Sequence, residues 1–225
     1  MTTRIRLVVF DCDGTMIDSQ AGIYDAVSAA WGTLGLTPPP RETARRVVGL
    51  PLDRAIAELA PECGPDDHAA LCDRYREAFA LNRANETLEE PMFPGLVEAL
   101  DAIEGAGMLL GVATGKSARG LSASLERHGL DRRFVTLQTS DRAPGKPAPD
   151  MVLRAMADTG ADPDTTVVIG DTSYDMEMAV NAGVAAIGVA WGYHPAEELT
   201  DTGAAAIIDH YSQAPDAVRR LIGGA

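Results

Sequence analysis

Six short apolar runs rich in Val and Ile constrain the fold of this chain more than any other feature. Each run is followed by a polar or glycine-containing turn and then by a stretch with helical character. Short, fully apolar strands that alternate with helices are typical of a parallel sheet covered on both faces. The sequence therefore predicts an α/β fold with a doubly wound parallel sheet. Its strands are expected at Ile5–Phe10, Met108–Ala113, Phe134–Thr139, Thr166–Ile169, Ala185–Ala190 and Ala205–Ile208.

The interval of residues 17–90 interrupts this alternation because it contains no strand-like run. Prolines divide it into helix-like stretches. We therefore predict a helical domain at 17–90, inserted into an α/β domain that comprises 1–16 and 91–225. Because an α/β sheet binds ligands at the carboxyl ends of its strands, a helical lid there would exclude water and select substrates. The helices are expected at Ser19–Leu34, Leu52–Leu59 and Asp66–Ala84.

The charge of the chain limits its partners. It carries 19 basic and 33 acidic residues, and the net charge of −14 repels nucleic acid and anionic membrane surfaces, so we expect neither as a partner. An anionic substrate would be repelled too, so its site must supply local positive charge. Only two of the basic residues are lysines, Lys116 and Lys146, and both lie in motif-like contexts.

The location of the protein is expected to be the cytoplasm. No apolar run approaches the roughly 18 residues of a membrane-spanning helix. The first apolar run ends at Asp11 without a small-residue cleavage site, so no signal peptide is predicted. Cys12, Cys63 and Cys72 fit no zinc or CxxC spacing, and we expect free thiols in a reducing compartment. The expected assembly is a monomer or a homodimer.

The run VVFDCDGT ends the first predicted strand in two carboxylates, Asp11 and Asp13. Side chains two apart in a strand share a face, so these carboxylates repel each other unless a hard cation such as Mg²⁺ is bound. Gly14 allows a sharp turn directly after the pair. Asp and Gly are also common turn residues, so the run alone would also fit a plain turn.

Two further strand ends carry a hydroxyl group and a lysine. The strand that ends in Thr114 is followed by Gly115 and a helix start, where hydroxyl and backbone N–H groups can hold phosphate oxygens. Thr114 would also serve as an ordinary helix N-cap. Lys146 lies between prolines in APGKPAP, which suits a charge that must be held in place, although a solvated surface lysine would fit as well.

A fourth strand ends in Asp171, and Asp175 follows four residues later in the run VVIGDTSYD. Asp175 could instead serve only the dipole of the next helix. Parallel strands place their carboxyl ends at one edge of the sheet. We therefore expect acids, a hydroxyl group and a lysine from four strands to converge at that edge.

These four motifs, in this order and spacing, resemble those of the haloacid dehalogenase superfamily across nearly the whole chain. The resemblance is to its phosphatase branch, subfamily IA, and to the phosphoglycolate phosphatase-like group. It implies a Rossmann-like core with an inserted α-helical C1 cap. It also implies Mg²⁺-dependent hydrolysis of a small phosphorylated metabolite, such as phosphoglycolate or a sugar phosphate. The chain departs from the family pattern at Gly115, where Asn or Ser is frequent.

The resemblance implies a covalent route with a phospho-aspartate intermediate on Asp11. Asp13 would be the general acid and base, and Lys146 would neutralise the phosphoryl group and the nucleophile. Thr114 and the Gly115 N–H would bind phosphate oxygens. A carboxylate attacks a phosphate dianion poorly because both are negative, and a cation with a nearby ammonium offsets that repulsion.

The resemblance also implies a metal site. Its ligands would be Asp11, the backbone carbonyl of Asp13, and Asp171, with Asp175 holding the metal shell or the lysine. Substrate choice is expected from the inserted helices. Arg45, with other arginines beside a predicted loop, could bind a substrate carboxylate, or it could simply be solvated on a helix.

Other activities are possible in this superfamily. Asp13 argues against a dehalogenase, and the absence of lysine from 17–90 argues against a phosphonate hydrolase with a Schiff-base lysine. A sugar-phosphate mutase shares all four motifs, but Ile23 stands where β-phosphoglucomutase carries a histidine. A catalytically silent binding protein on the same fold also remains open.

Overall fold

Six parallel strands form one sheet in the order β3-β2-β1-β4-β5-β6, in a computed structural model that describes residues 4–85 and 90–223. Each strand lies within its predicted run or extends it by one residue, so the predicted parallel sheet is confirmed. β1 is central, and Val9 faces Gly111 of β2 and Val168 of β4. The strands are β1 (Leu7–Phe10), β2 (Leu109–Thr114), β3 (Thr136–Thr139), β4 (Thr166–Gly170), β5 (Ala185–Val189) and β6 (Ala206–Ile208).

Four described helices lie between β1 and residue 85, and we call them the inserted helices. Three of them, at 20–33, 52–59 and 65–84, share a small apolar core that includes Trp31, Ile56 and Leu71. The helix at 41–46 was not predicted, because its sequence RETARR has no apolar periodicity and buries only Ala44. The inserted helices are α1 (Gln20–Thr33), α2 (Arg41–Arg46), α3 (Leu52–Leu59) and α4 (Pro65–Ala84).

The predicted domain boundaries stay a prediction, and residues 86–89 of the predicted helical domain lie outside the described residues. Among the residues that the structure describes, no helix is both long enough and apolar enough to cross a bilayer.

Six further helices cover the two faces of the sheet. The side chains of β1 show why both faces need cover: Val8 and Phe10 belong to one apolar cluster, and Leu7 and Val9 belong to the other. Burying one such side chain stabilises the fold by about 1.5–3 kcal/mol. The covering helices are α5 (Leu96–Gly105), α6 (Ala118–Arg127), α7 (Asp150–Thr159), α8 (Ser173–Ala182), α9 (Ala196–Thr202) and α10 (Ala214–Ile222).

The loop between α2 and α3 lies over the carboxyl ends of the strands. A Cβ atom at Gly115 would lie 2.9 Å from the carbonyl oxygens of both Gly49 and Leu50. A Cβ atom at Gly145 would lie 2.3 Å from Cγ of Pro51. The two glycines of the α/β part therefore allow this loop to approach closely.

Candidate active site

Asp11 is placed by the central strand. Its backbone N–H donates to the carbonyl of Ile169 at 2.9 Å, which continues the β1–β4 pairing one residue beyond Phe10. The chain then turns at Gly14, whose φ is +84°. A Cβ atom at Gly14 would lie 2.2 Å from Oδ2 of Asp171, so glycine is required for both conformation and space.

Lys146 lies between two carboxylates. Its Nζ is 2.6 Å from Oδ1 of Asp11 and 2.6 Å from Oδ1 of Asp175, and its side chain is fully buried. Burial lowers the pKa of the Lys146 ammonium, but the two carboxylates outweigh burial and raise it above the ordinary value. The alternative of a solvated surface lysine is therefore wrong, and the lysine is a fixed positive charge.

Three buried carboxylates, those of Asp11, Asp171 and Asp175, have oxygens within 4.8 Å of one another. With Lys146 as the neighbouring ammonium, the formal charge of the group is −2 (three negative charges and one positive). Burial raises the pKa of Asp11 to about 7; Lys146 opposes this shift and Asp175 adds to it. Burial, Asp11 and Asp175 also raise the pKa of Asp171. The cluster is electrostatically incomplete.

A divalent cation fits this cluster. None of the described residues donates a hydrogen bond to Oδ2 of Asp11, although that oxygen is buried. Asp171 accepts hydrogen bonds from the Thr15 hydroxyl at 2.8 Å and the Tyr193 N–H at 2.9 Å, which fix its orientation. Carboxylate oxygens are the ligands that hard divalent cations prefer. A cation of charge +2 would balance the charge of the group.

Asp175 has both of the roles considered from the sequence. It is near the start of α8, where its Oδ2 accepts from the Thr172 N–H at 3.1 Å in a capping box. Its other oxygen faces Lys146. The capping interaction at the start of α8 therefore fixes the Asp175 carboxylate, and this carboxylate in turn fixes the Lys146 ammonium.

Thr114 and Gly115 lie at the end of β2, next to Asp11 and Asp13 on the wall of a cavity of about 580 Å³. The Thr114 side chain is buried, and its hydroxyl accepts from the Lys116 N–H at 3.2 Å. Gly115, which departs from the family pattern, lies where the Gly49 and Leu50 carbonyls leave no room for a side chain. The strand ends predicted to converge therefore do so beneath the inserted helices.

Lys116, Glu90 and Arg83 form a second ionic group that the sequence analysis missed. Nζ of Lys116 is 2.5 Å from Oδ1 of Asp13 and 3.6 Å from Oε1 of Glu90. Glu90 is buried, and Arg83 of α4 lies 3.6 Å from its other oxygen. Burial lowers the pKa of the Lys116 ammonium, but Asp13, Cys12 and Glu90 together outweigh burial and raise it above the ordinary value. The scarcity of lysine in this chain could have singled out Lys116 from the sequence, whereas no sequence pattern singled out Glu90.

Arg45 lies outside the cavity. Its guanidinium donates to the Gly192 carbonyl at 2.6 Å and lies 5.9 Å from the Tyr193 ring centroid. The neighbouring Arg46 pairs with Glu198 at 2.9 Å. The structure therefore places Arg45 in a contact between α2 and the α/β part rather than on the cavity wall.

Comparisons with known proteins agree with this geometry. Residues 8–189 match the family model described as haloacid dehalogenase-like hydrolase. The chain is 36% identical to a probable phosphatase, IndB, of Dickeya dadantii, over 96% of this chain and 94% of that protein. It is 32% identical to an N-acetylmuramic acid 6-phosphate phosphatase of Pseudomonas aeruginosa, over 97% of both chains. It is 31% identical to a phosphoglycolate phosphatase of Agrobacterium fabrum, over 83% of this chain and 81% of that protein.

Proposed function

Because the chain belongs to the haloacid dehalogenase-like hydrolases, we propose that it is a Mg²⁺-dependent phosphatase of a small phosphorylated metabolite. The relatives named as phosphatases make it a phosphoric monoester hydrolase. One observation carries the proposal: Asp11 lines the cavity, and Nζ of Lys146 lies 2.6 Å from Oδ1 of Asp11. A phosphate ester in the cavity would meet a carboxylate beside a fixed positive charge.

The divalent cation is proposed to be Mg²⁺, held by Asp11, Asp171 and the backbone carbonyl of Asp13. It would supply the positive charge that the phosphoryl oxygens need during transfer. Asp175 is proposed to act through Lys146 and the metal shell. Thr114 and the Gly115 N–H are proposed to bind phosphoryl oxygens, which their place at the end of β2 allows.

In the first step, a carboxylate oxygen of Asp11 forms a bond to phosphorus, and the bond from phosphorus to the leaving oxygen breaks. Asp13 gives its proton to that oxygen, so the alcohol leaves neutral. In the second step, Asp13 takes a proton from water as the water oxygen attacks phosphorus. Inorganic phosphate leaves and Asp11 is regenerated. Covalent catalysis thus divides hydrolysis into two easier steps, and a positioned acid contributes about 10²–10⁴-fold to the rate.

The side chain of Asp13 lies apart from the metal cluster, because its Oδ1 is bound to Lys116. This separation supports a division of labour between the two acids of the first motif. The protein is proposed to act in the cytoplasm as a monomer or homodimer. Ile23 lines the cavity where a mutase is expected to carry a histidine, and its aliphatic side chain cannot transfer a proton.

Phosphate release from 4-nitrophenyl phosphate tests the proposal. We expect Mg²⁺-dependent turnover that EDTA abolishes and added Mg²⁺ restores. Asp11→Asn should reduce kcat by at least about 10³-fold, because an amide is no nucleophile here. Asp67→Asn, an exposed position on α4, is the matched control and should keep wild-type kcat. Turnover by Asp11→Asn at the wild-type rate would refute the proposal.

A further inference from the structure

The cavity above Asp11 is large for a two-carbon substrate. Its volume of about 580 Å³ equals that of about 20 water molecules in the liquid, at about 30 Å³ each. Cavities of this size commonly enclose organic ligands far larger than glycolate. A small acid would leave most of this space without contact to the substrate.

The wall opposite Asp11 is apolar. It is supplied by the inserted helices and the loop between α2 and α3, and its aliphatic members include Val27, Val48, Leu50, Ile56 and Leu59. Tyr75 and Phe79 of α4 continue this wall, with ring centroids 5.9 Å apart and an interplanar angle of 26°. Such a surface gains free energy by contact with apolar atoms, and of the side chains named here only that of Tyr75 carries a donor for a carboxylate.

Two cationic side chains at the wall, those of Lys116 and Arg83, already face carboxylates. Lys116 is bound to Asp13, and Arg83 lies 3.6 Å from the buried Glu90. A substrate carboxylate would have to break one of these ion pairs, which leaves a buried acid without its partner. Arg45 does not line the cavity. Two further arginines, Arg76 and Arg119, line the cavity as exposed, solvated residues, so the described buried part of the wall offers a substrate carboxylate no unpaired cation.

We propose that the leaving group is bulky, uncharged and built on a rigid ring, aromatic or sugar, which packs against the apolar wall; this rests on the proposed phosphatase function. A ring brings contact area without the entropy loss of a flexible chain. The phosphoryl group then lies at Asp11, and the ring occupies the space between α3, α4 and α6.

Three alkyl phosphates test the inference: ethyl phosphate, 2-phosphoglycolate and benzyl phosphate. All three release a primary alcohol, so differences report mainly on the cavity. We expect kcat/KM for benzyl phosphate to exceed that for each of the others by about 10- to 100-fold, as burial of a phenyl ring predicts. A higher kcat/KM for 2-phosphoglycolate would overturn the inference and leave the phosphatase function intact. If neither these three esters nor 4-nitrophenyl phosphate released phosphate, the phosphatase function itself would be refuted.

Two cavity-filling variants locate the ring. Ala80→Phe on α4 and Ala123→Phe on α6 add bulk at two lining positions that different helices contribute. At least one should lower the benzyl-to-ethyl ratio of kcat/KM by about 10-fold or more. Ala69→Phe, exposed on α4 outside the cavity, is the matched control and should keep the wild-type ratio. Wild-type ratios in both cavity variants would contradict the placement and the inference.

Discussion

Asp171→Asn should make the metal-free protein more stable while it destroys the metal site. Asp171 is fully buried beside Asp11 and Asp175, and among the described residues only Lys146 forms an ion pair with this group. Two unit charges 4.8 Å apart repel by about 3 kcal/mol at an effective dielectric constant of about 20. The substitution removes one partner from two such like-charge pairs.

An upper limit to the gain follows from proton uptake. A carboxyl group with an unfolded pKa of 3.8 can be protonated at pH 7 for about 4 kcal/mol, at about 1.36 kcal/mol per pH unit. If burial of the charge cost more than this, the Asp171 carboxyl group would bind a proton instead. We therefore expect the variant to gain about 1–4 kcal/mol in the free energy of unfolding at pH 7 in EDTA. The amide fits, because it can accept from the Tyr193 N–H and donate to the Thr15 hydroxyl.

The gain should depend on pH. The folded-state pKa of Asp171 is raised, so its contribution to stability is intact below pH 3.8 and is lost as the pH rises. The difference between variant and wild type should thus be largest at pH 7–8 and shrink towards pH 4. Urea unfolding in EDTA measures it, with exposed Asp67→Asn as the control.

Mg²⁺ should stabilise the wild type more than the variant. A cation at 100 times its Kd stabilises the wild type by about 2.7 kcal/mol, and the variant should lose most of this gain. A variant that is less stable than the wild type in EDTA at pH 7, or one that Mg²⁺ stabilises equally, would refute the reasoning.

Three other substitutions test neighbouring parts of the site. Lys146→Met should lower kcat by at least about 10³-fold and cost about 3–5 kcal/mol in EDTA, because two buried carboxylates lose their ammonium; a stable, active variant would contradict this. Gly115→Ala should raise KM and lower the free energy of unfolding by about 1–3 kcal/mol, since its Cβ would lie 2.9 Å from two backbone carbonyl oxygens and displace the Gly49 loop; an unchanged KM would count against it. Glu90→Gln should lower the free energy of unfolding, measured in urea, by about 1–3 kcal/mol, whereas exposed Glu77→Gln should lower it by less than about 1 kcal/mol. Equal losses would mean that the buried Glu90 carboxylate does not stabilise the fold.

The sheet was predictable because its strands are fully buried. Val8 and Val9 face opposite clusters and are both apolar, so each strand reads as a continuous apolar run. The ends of four such runs were enough to place Asp11, Lys146 and Asp171 together. Lys146 in particular could be recognised from its rarity and its prolines.

The remainder of the site depends on contacts that no local pattern encodes. Glu90 reaches Lys116 and Arg83 only after the inserted helices have packed onto the sheet. Arg45 was a candidate for substrate binding because of its charge, yet its partner Gly192 lies 147 residues away. The short helix α2 was missed for a related reason, since its single buried residue leaves no periodicity.

The central claim is that Asp11 carries the phosphoryl group during turnover. Hydrolysis of a phosphorothioate ester tests it directly when phosphorus is made chiral with two oxygen isotopes and the water carries the third, because sulfur and three oxygen isotopes leave the product chiral and each in-line displacement inverts the configuration at phosphorus. Two successive displacements, first by Asp11 and then by water, predict net retention in the released thiophosphate. Net inversion would mean that water attacks the substrate in one step, and it would contradict the covalent route.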